Sequence, residues 1–135
     1  MLFRGMRLFV AVTFLVTLSR CANPFAPTGG PKDTSPPLAL VSPKDTIVNY
    51  AGEKLIWAFD EYLQPIQKQN IQILPETPIS IELRGRSLIL SIDEITRGVA
   101  YNLIIEDAIK DYNEGNLYPP QSIWITTNGI LPNNS

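Results

Sequence analysis

From Leu38 to Thr127 the chain alternates apolar and polar residues in short runs, and turn-forming residues separate one run from the next. A period of two is typical of strands with one buried face, because successive side chains of a strand point to opposite sides. A sheet with one apolar face needs a second layer to cover that face. The pattern therefore predicts an all-β fold made of two packed sheets. The candidate strands are 38–41, 46–49, 54–60, 71–74, 79–84, 87–92, 100–105 and 122–127.

The sequence also predicts where the chain turns. Arg84-Gly85-Arg86 separates two alternating runs and is expected to form the tip of a hairpin. Two stretches, 61–68 and 106–112, have some helical character, but Pro65 limits the first to about one turn. The second ends in Asn-Glu-Gly-Asn at 113–116, which is a turn-forming sequence. We therefore expect at most single helical turns.

The N-terminus has the features of an export signal. Two arginines precede an apolar stretch from Leu8 to Leu18, which is too short to span a bilayer comfortably. Cys21 is the only cysteine, and the residues before it resemble the bacterial lipobox in Leu18 and Ser19, with Arg20 as a departure. We predict a lipoprotein signal peptide over 1–20 and a lipid on Cys21. An ordinary secretory signal or a buried N-terminal helix is the alternative.

Proline and glycine are concentrated between the predicted lipid site and the first strand. Residues 22–37 contain five prolines and two glycines, a composition that favours extended, flexible backbone. We interpret residues 21–37 as a lipidated cysteine and tether, 38–129 as the sandwich and 130–135 as a C-terminal tail. Without residues 1–20 the chain has 115 residues, which suffices for one domain.

The charge of the mature chain excludes some partners. Residues 21–135 carry 8 lysines and arginines against 13 aspartates and glutamates, a net charge of −5. This balance argues against nucleic acid as a partner and against electrostatic attachment to acidic lipid. Once Cys21 is acylated no thiol remains for a disulfide, so the domain must be held together by its apolar core.

One residue type that many catalytic sites use is missing. Histidine is absent, so the usual nucleophile–base pairs and zinc sites lack a component. Carboxylate pairs remain as acid–base candidates of the glycosidase kind, either Asp60 with Glu61 or Asp111 with Glu114. Neighbours on an extended strand point apart, so Asp60 and Glu61 face one another only in a bend. We predict no enzymatic activity and no cofactor.

A weak calcium site is a second hypothesis for the loop that begins at Asp111. Asp111 and Asn113, with Asp107 and Glu114 nearby, offer oxygen ligands. Gly115 stands at the fifth position, not the sixth, and no glutamate follows at the twelfth, unlike the calcium loop between paired helices. In the competing interpretation Asp111 accepts hydrogen bonds from the loop's own amides, while Gly115 adopts a positive φ. We therefore predict no metal site.

Aromatic residues outside the buried pattern are candidates for ligand binding. Tyr112 and Tyr118 flank the same predicted loop, and the loops of a sandwich commonly carry binding residues. Trp57 and Phe59, in contrast, share the alternation of their strand and are expected in the core. The candidates for stacking on a sugar or a proline-rich peptide are Tyr62, Tyr112, Tyr118 and Trp124.

Three motifs carry a resemblance to a known family. They are Thr28-Gly29-Gly30-Pro31-Lys32-Asp33-Thr34 followed by Pro36-Pro37, then Phe59-Asp60-Glu61-Tyr62, and Asp111-Tyr112-Asn113-Glu114-Gly115-Asn116. Together they resemble the bacterial Ig-like domain of the S-layer-protein (SbsA) type, found at the N-terminus of Bacteroidetes lipoproteins. The resemblance implies an immunoglobulin-like antiparallel β-sandwich of about seven strands with a spacer, adhesion or assembly role. Such proteins are often longer, so the chain is expected to be a minimal or truncated member.

These inferences predict a lipid-anchored, non-enzymatic Ig-like module of the cell envelope that acts as a structural, spacer or protein-interaction domain. The lipid on Cys21 would hold it at the outer membrane, and an envelope protein or a glycan is the expected partner. The alternative is a glycan- or peptide-binding lipoprotein that uses its loop aromatics. Residues 22–25 carry no acid, unlike the surface-exported lipoproteins that the chain resembles, which favours the periplasmic face.

Overall fold

The computed structural model describes residues 29–130, and these form the all-β fold that the alternation predicts. No residue of this range is α-helical, and its one helical element is a 3-10 turn at Lys68–Asn70. No helix in the same range has the length and apolar character needed to cross a membrane. The strands are β1 (Ala39–Val41), β2 (Thr46–Ile47), β3 (Leu55–Phe59), β4 (Ile71–Leu74), β5 (Ile79–Arg84), β6 (Ser87–Ile92), β7 (Ala100–Ile105) and β8 (Gln121–Thr126).

The strands form two four-stranded sheets of a β-sandwich, with the orders β1-β3-β6-β5 and β2-β8-β7-β4. Neighbouring strands are antiparallel except β2 and β8, which run parallel. The predicted short edge piece at 46–49 is β2, where Thr46 and Ile47 pair with Trp124 and Ile125. Two residues are too few to show an alternation, so the sequence predicts this strand's place but not its partner.

The core lies between the sheets and is built from every second residue of the strands. Trp57 of β3 and Leu103 of β7 are both 0 % exposed, and Phe59 is 2 % exposed, which confirms the prediction for the β3 aromatics. The indole Nε1 of Trp57 donates to Oε1 of Gln121 on β8 at 2.8 Å. This hydrogen bond satisfies the one polar atom of the largest core side chain and links the two sheets.

The hairpin between β5 and β6 turns where the sequence predicts it. Arg84 pairs with Ser87, so Gly85 and Arg86 form a two-residue turn. Gly85 has φ +59°, the positive φ that a type II′ turn requires at its first central position. Glycine adopts this conformation without the steric cost that a Cβ would impose.

The two stretches with helical character are not helices. Residues 61–67 and 106–112 contain no helical turn, and the 3-10 turn begins only at Lys68. Leu63 instead forms an isolated antiparallel bridge with Asp111. The prediction of at most single helical turns is confirmed. The helical propensity of these stretches is overridden by the long-range pairing of Leu63 with Asp111.

The compact unit that contains the sandwich begins at Asp33, within the predicted tether. Pro37 is fully buried, and the backbone N–H of Leu38 donates to Oδ1 of Asp60 at 2.9 Å. The last residues of the predicted tether are therefore packed on the sandwich. Residues 29–32 belong to a separate unit and form no strand. The predicted signal peptide, Cys21 and tail residues 131–135 lie outside the described residues.

Candidate functional site

The candidate site lies where the segment between β3 and β4 meets the segment between β7 and β8. The bridge between Leu63 and Asp111 is flanked by two backbone hydrogen bonds. The N–H of Tyr112 donates to the carbonyl of Tyr62 at 2.9 Å, and the N–H of Gln64 donates to that of Lys110 at 3.0 Å. This short antiparallel ladder fixes the register of two segments that are far apart in the sequence.

A second short ladder folds residues 109–118 into a hairpin. Lys110 forms a bridge with Leu117, and the backbone N–H groups of Asp111 and Tyr118 continue the pairing on either side. Residues 112–115 are the loop of this hairpin. The 112–115 loop is therefore held on both sides: the segment before it pairs with residues 62–64, and the segment after it pairs with residues 109–111.

The register places Tyr62 and Tyr112 directly opposite each other. Leu63 and Asp111 point inward and are 5 % and 1 % exposed, whereas the two tyrosines point outward and are each 64 % exposed. Opposite residues of paired strands have Cβ atoms about 5 Å apart. Two of the three tyrosines predicted for binding thus meet, although the sequence associates Tyr112 with Tyr118 instead.

The two tyrosines line an open groove with a volume of about 490 Å³. Concave surfaces with exposed aromatic side chains and a few polar groups are typical of binding sites. The other residues that line this tyrosine groove are Asp60, Glu61, Leu63, Arg86 and Asn113.

Arg86 brings the tip of the β5–β6 hairpin to the tyrosine groove. Its guanidinium carbon lies 5.9 Å from the centre of the Tyr62 ring, within the range of a cation–π contact. Its Nη1 donates to the backbone carbonyl of Asp60 at 3.0 Å. The sequence predicts the hairpin tip but not this role of Arg86, because the alternation does not reveal which loops come together at one end of the sandwich.

Tyr118 and Trp124 are not brought to the tyrosine groove. The half-buried ring of Tyr118 packs edge-on against Phe59, with centroids 5.1 Å apart and an interplanar angle of 85°. Its hydroxyl accepts a hydrogen bond from Nε2 of Gln121 at 2.8 Å, and burial raises its pKa. Trp124 is half-buried on β8. Tyr118 thus connects the 109–118 hairpin to the core.

Asp111 closes the loop of this hairpin. Its Oδ1 accepts hydrogen bonds from the amides of Glu114 (2.7 Å) and Gly115 (2.9 Å), and its Oδ2 accepts one from Asn116 (2.9 Å). Burial by itself raises the pKa of Asp111, but these amide hydrogen bonds outweigh burial and hold the pKa below its ordinary value. Gly115 has φ +76°. The interpretation of Asp111 as an acceptor for the loop's own amides is confirmed.

Three carboxylates lie close together, and one of them, Glu61, lines the tyrosine groove. Oxygen atoms of Glu61, Asp111 and Glu114 lie within 4.8 Å of one another. Burial raises the pKa of Glu61, and the charges of Asp111 and Asp60 add to the rise. The sequence associates Asp111 with Glu114 but does not reveal Glu61, because Glu61 arrives through the long-range pairing of Leu63.

Asp107, another candidate metal ligand, does not join this cluster. Asp107 is exposed, and its backbone carbonyl accepts a hydrogen bond from the side chain of Asn70 at 3.3 Å. Asn113 is exposed and lines the tyrosine groove. Loop amides use three of the roughly four acceptor positions of the Asp111 carboxylate.

In each predicted carboxylate pair, one member accepts backbone hydrogen bonds. Asp60 and Glu61 do lie in a bend after β3, the condition under which they could face one another. Asp60 accepts the amide of Leu38, and Asp111 accepts three amides. The amide hydrogen bonds to Asp111 favour its ionised form and oppose a role in proton transfer.

No protein-family model and no curated protein matches the chain. The fold, the tyrosine groove and the sequence motifs are therefore the basis on which a function can be proposed.

Proposed function

We propose that the chain is a lipid-anchored, non-enzymatic Ig-like module of the cell envelope, acting as a structural, spacer or protein-interaction domain. The tyrosine groove is its interaction surface. The observation that carries this proposal is the opposed pair of Tyr62 and Tyr112, each 64 % exposed on a backbone fixed by hydrogen bonds. Exposed tyrosines are enriched at interaction sites, because they offer a large apolar area and a polar end at low entropic cost.

The anchor and the envelope location rest on the sequence. A basic start, a short apolar stretch and Cys21 after Leu18-Ser19-Arg20 favour lipidation and transfer to the outer membrane. The resemblance to SbsA-type Ig-like domains of Bacteroidetes lipoproteins supports a spacer or assembly role. The periplasmic face is proposed because residues 22–25 lack acids.

A glycan- or peptide-binding lipoprotein is the second candidate function. The specific observation that favours it is the exposed amide of Asn113 beside the two tyrosine rings in the same groove. Aromatic faces stack on sugar rings, and amides and carboxylates hydrogen-bond to hydroxyl groups. A glycan array probed with wild type, Tyr62→Ala and Tyr112→Ala tests this candidate. Binding of a specific glycan that both variants lose would support it, and binding of no glycan would exclude it.

The anchor is tested by palmitate labelling of cells that express wild type or Cys21→Ala. We expect label on wild type only, with both proteins detected by immunoblot. An unlabelled wild-type protein would overturn the anchor. Protease treatment of intact cells then tests orientation, since a protein on the periplasmic face is protected and one on the cell surface is cleaved.

The interaction surface is tested by photo-crosslinking in cells. Benzoylphenylalanine replaces Tyr112 in one variant and Leu40 in a matched control, because both residues are 64 % exposed and Leu40 lies on β1. We expect a discrete adduct from position 112 that position 40 does not give. Equal adducts from both positions, or none from position 112, would show that the tyrosine groove is not the interaction surface.

A further inference from the structure

The carboxylates of Glu61, Asp111 and Glu114 differ in how many hydrogen bonds they accept. Asp111 accepts three backbone amides, whereas no residue between 29 and 130 donates a hydrogen bond to the carboxylate of Glu61 or Glu114. The one ion pair in this part of the chain joins Arg84 to Glu82, on β5. Three carboxylates within 4.8 Å thus have no cation among them in the described part of the chain.

One of the two tyrosines already has a cationic group over its ring. The guanidinium of Arg86 lies over the ring of Tyr62, and its Nη1 is directed to the carbonyl of Asp60. Tyr112 lies opposite Tyr62 with the same exposure, and no lysine or arginine of residues 29–130 lies over its ring. The groove therefore has one aromatic ring covered by a cation and a second ring that is open.

We infer that the tyrosine groove binds an arginine or lysine side chain of an extended segment of a partner protein. The cationic group is placed on the open ring of Tyr112, in the groove that the carboxylate-bearing Glu61 also lines. The inference rests on the proposed interaction role of the tyrosine groove and names the chemistry of its partner.

Charge complementarity selects this occupant over the others. A cation on Tyr112 gains from the ring quadrupole and from the nearby carboxylates together. It also relieves the mutual repulsion of Glu61, Asp111 and Glu114. The carboxylates would repel an anionic ligand, while the guanidinium of Arg86 already contacts Tyr62 and the carbonyl of Asp60. A neutral sugar would leave the repulsion among the carboxylates in place. Arginine suits the site especially well, because its planar guanidinium both stacks on a ring and donates to a carboxylate.

The test is a ¹⁵N NMR titration of the full-length chain, purified in detergent, with two matched peptides. One is acetyl-Gly-Arg-Gly-Arg-Gly-amide, and the other has citrulline, which is neutral but nearly the same shape, in place of arginine. We expect the arginine peptide to shift the amides of residues 61, 62 and 112–114 in a saturable way. The citrulline peptide should leave them unchanged.

Variants distinguish binding of the peptide at the tyrosine groove from nonspecific electrostatic binding to a negatively charged protein. We expect Tyr112→Ala and Glu61→Gln each to raise the Kd of the arginine peptide about fivefold. Glu76→Gln is the matched control, because it removes the same charge at an exposed position outside the groove and should leave the Kd unchanged. Equal shifts with both peptides, or an equal loss in Glu76→Gln, would overturn the inference.

Two further outcomes distinguish failure of the cation-binding inference from failure of the proposed interaction role. If a neutral glycan shifts the same amides and the arginine peptide does not, the inference fails and the interaction role of the groove stands. If neither ligand acts there and position 112 gives no crosslinked adduct, both fail. A saturable response to about 1 mM Ca²⁺ that Glu61→Gln abolishes would identify a metal site and also overturn the inference.

Discussion

The sandwich and the tyrosine groove are built by two different kinds of pairing. In the sandwich, strands such as β5 and β6 pair over six consecutive residues, and alternation decides which face is buried. At the groove the pairing consists of the single bridges of Leu63 and Lys110, together with one carboxylate that closes a loop. The sandwich is held by burial and the groove by hydrogen bonds. Substitutions in the sandwich should therefore lower stability through lost burial, and substitutions at the groove through lost hydrogen bonds.

The largest effect is expected in the sandwich, from Trp57→Ala. This change empties a fully buried position and removes the hydrogen bond to Gln121, so we expect the free energy of unfolding to fall by about 4 kcal/mol. Urea denaturation followed by circular dichroism measures it. The control is Ile56→Ala on the same strand, where the side chain is 42 % exposed and the loss should stay below about 1 kcal/mol. Similar losses in both variants would contradict the assignment of the core.

The next largest effect is expected at the groove, from Asp111→Ala. The change leaves three loop amides without their acceptor, and we expect a loss of about 3 kcal/mol in the same assay. Glu106→Ala, at an exposed position before the hairpin, should change stability by less than about 0.5 kcal/mol. If Asp111→Ala were as mild as this control, the loop would not depend on the carboxylate.

The pH dependence of stability tests the charge of Asp111. Its pKa is lowered in the folded state, so the ionised carboxylate stabilises the fold above its ordinary pKa, and this contribution is lost as the pH falls through the folded pKa. Asp111→Asn lacks the contribution at every pH. We expect the melting temperatures of wild type and variant to differ at pH 7 and to begin to converge as the pH falls below about 4. A gap that stays constant into acid would exclude this role of the charge.

The smallest effect has the opposite sign. The pKa of Glu61 is raised, so its ionised form opposes folding at neutral pH and this cost disappears as the carboxyl protonates. Glu61→Gln should therefore stabilise the protein at pH 7, by about 0.5 kcal/mol or less. The same denaturation assay at pH 7 measures the gain, and Glu76→Gln should not reproduce it. Destabilisation by Glu61→Gln would show that the carboxylate has a favourable partner.

The sequence is informative about the sandwich because each strand carries its own signal. Alternation identifies the face that buries Trp57, and Gly85 marks a turn whether or not its surroundings are known. Asp111 could also be interpreted correctly, since its partners are three to five residues away. All of these features depend on local sequence.

The tyrosine groove could not be predicted in the same way. Its central contact joins Leu63 to Asp111 through a single bridge, and one residue pair gives no periodic pattern. Tyr112 and Tyr118 flank one loop in the sequence, whereas no local pattern links Tyr112 to Tyr62. The contributions of Glu61 and Arg86 follow only from that pairing and from the place where the β5–β6 hairpin ends. Sites assembled by isolated bridges require the three-dimensional structure.

The relay from Trp57 through Gln121 to Tyr118 has a consequence for the kinetics of recognition. Gln121 accepts from Trp57 and donates to Tyr118, whose backbone N–H in turn donates to the carbonyl of Ile109. The hairpin that carries Tyr112 is thereby held by the core, so a partner meets a surface that is already shaped and loses little conformational freedom there. Association at this surface should proceed in one phase without a slow rearrangement, and the Tyr118 amide should exchange its proton for deuterium as slowly as amides of the central strands.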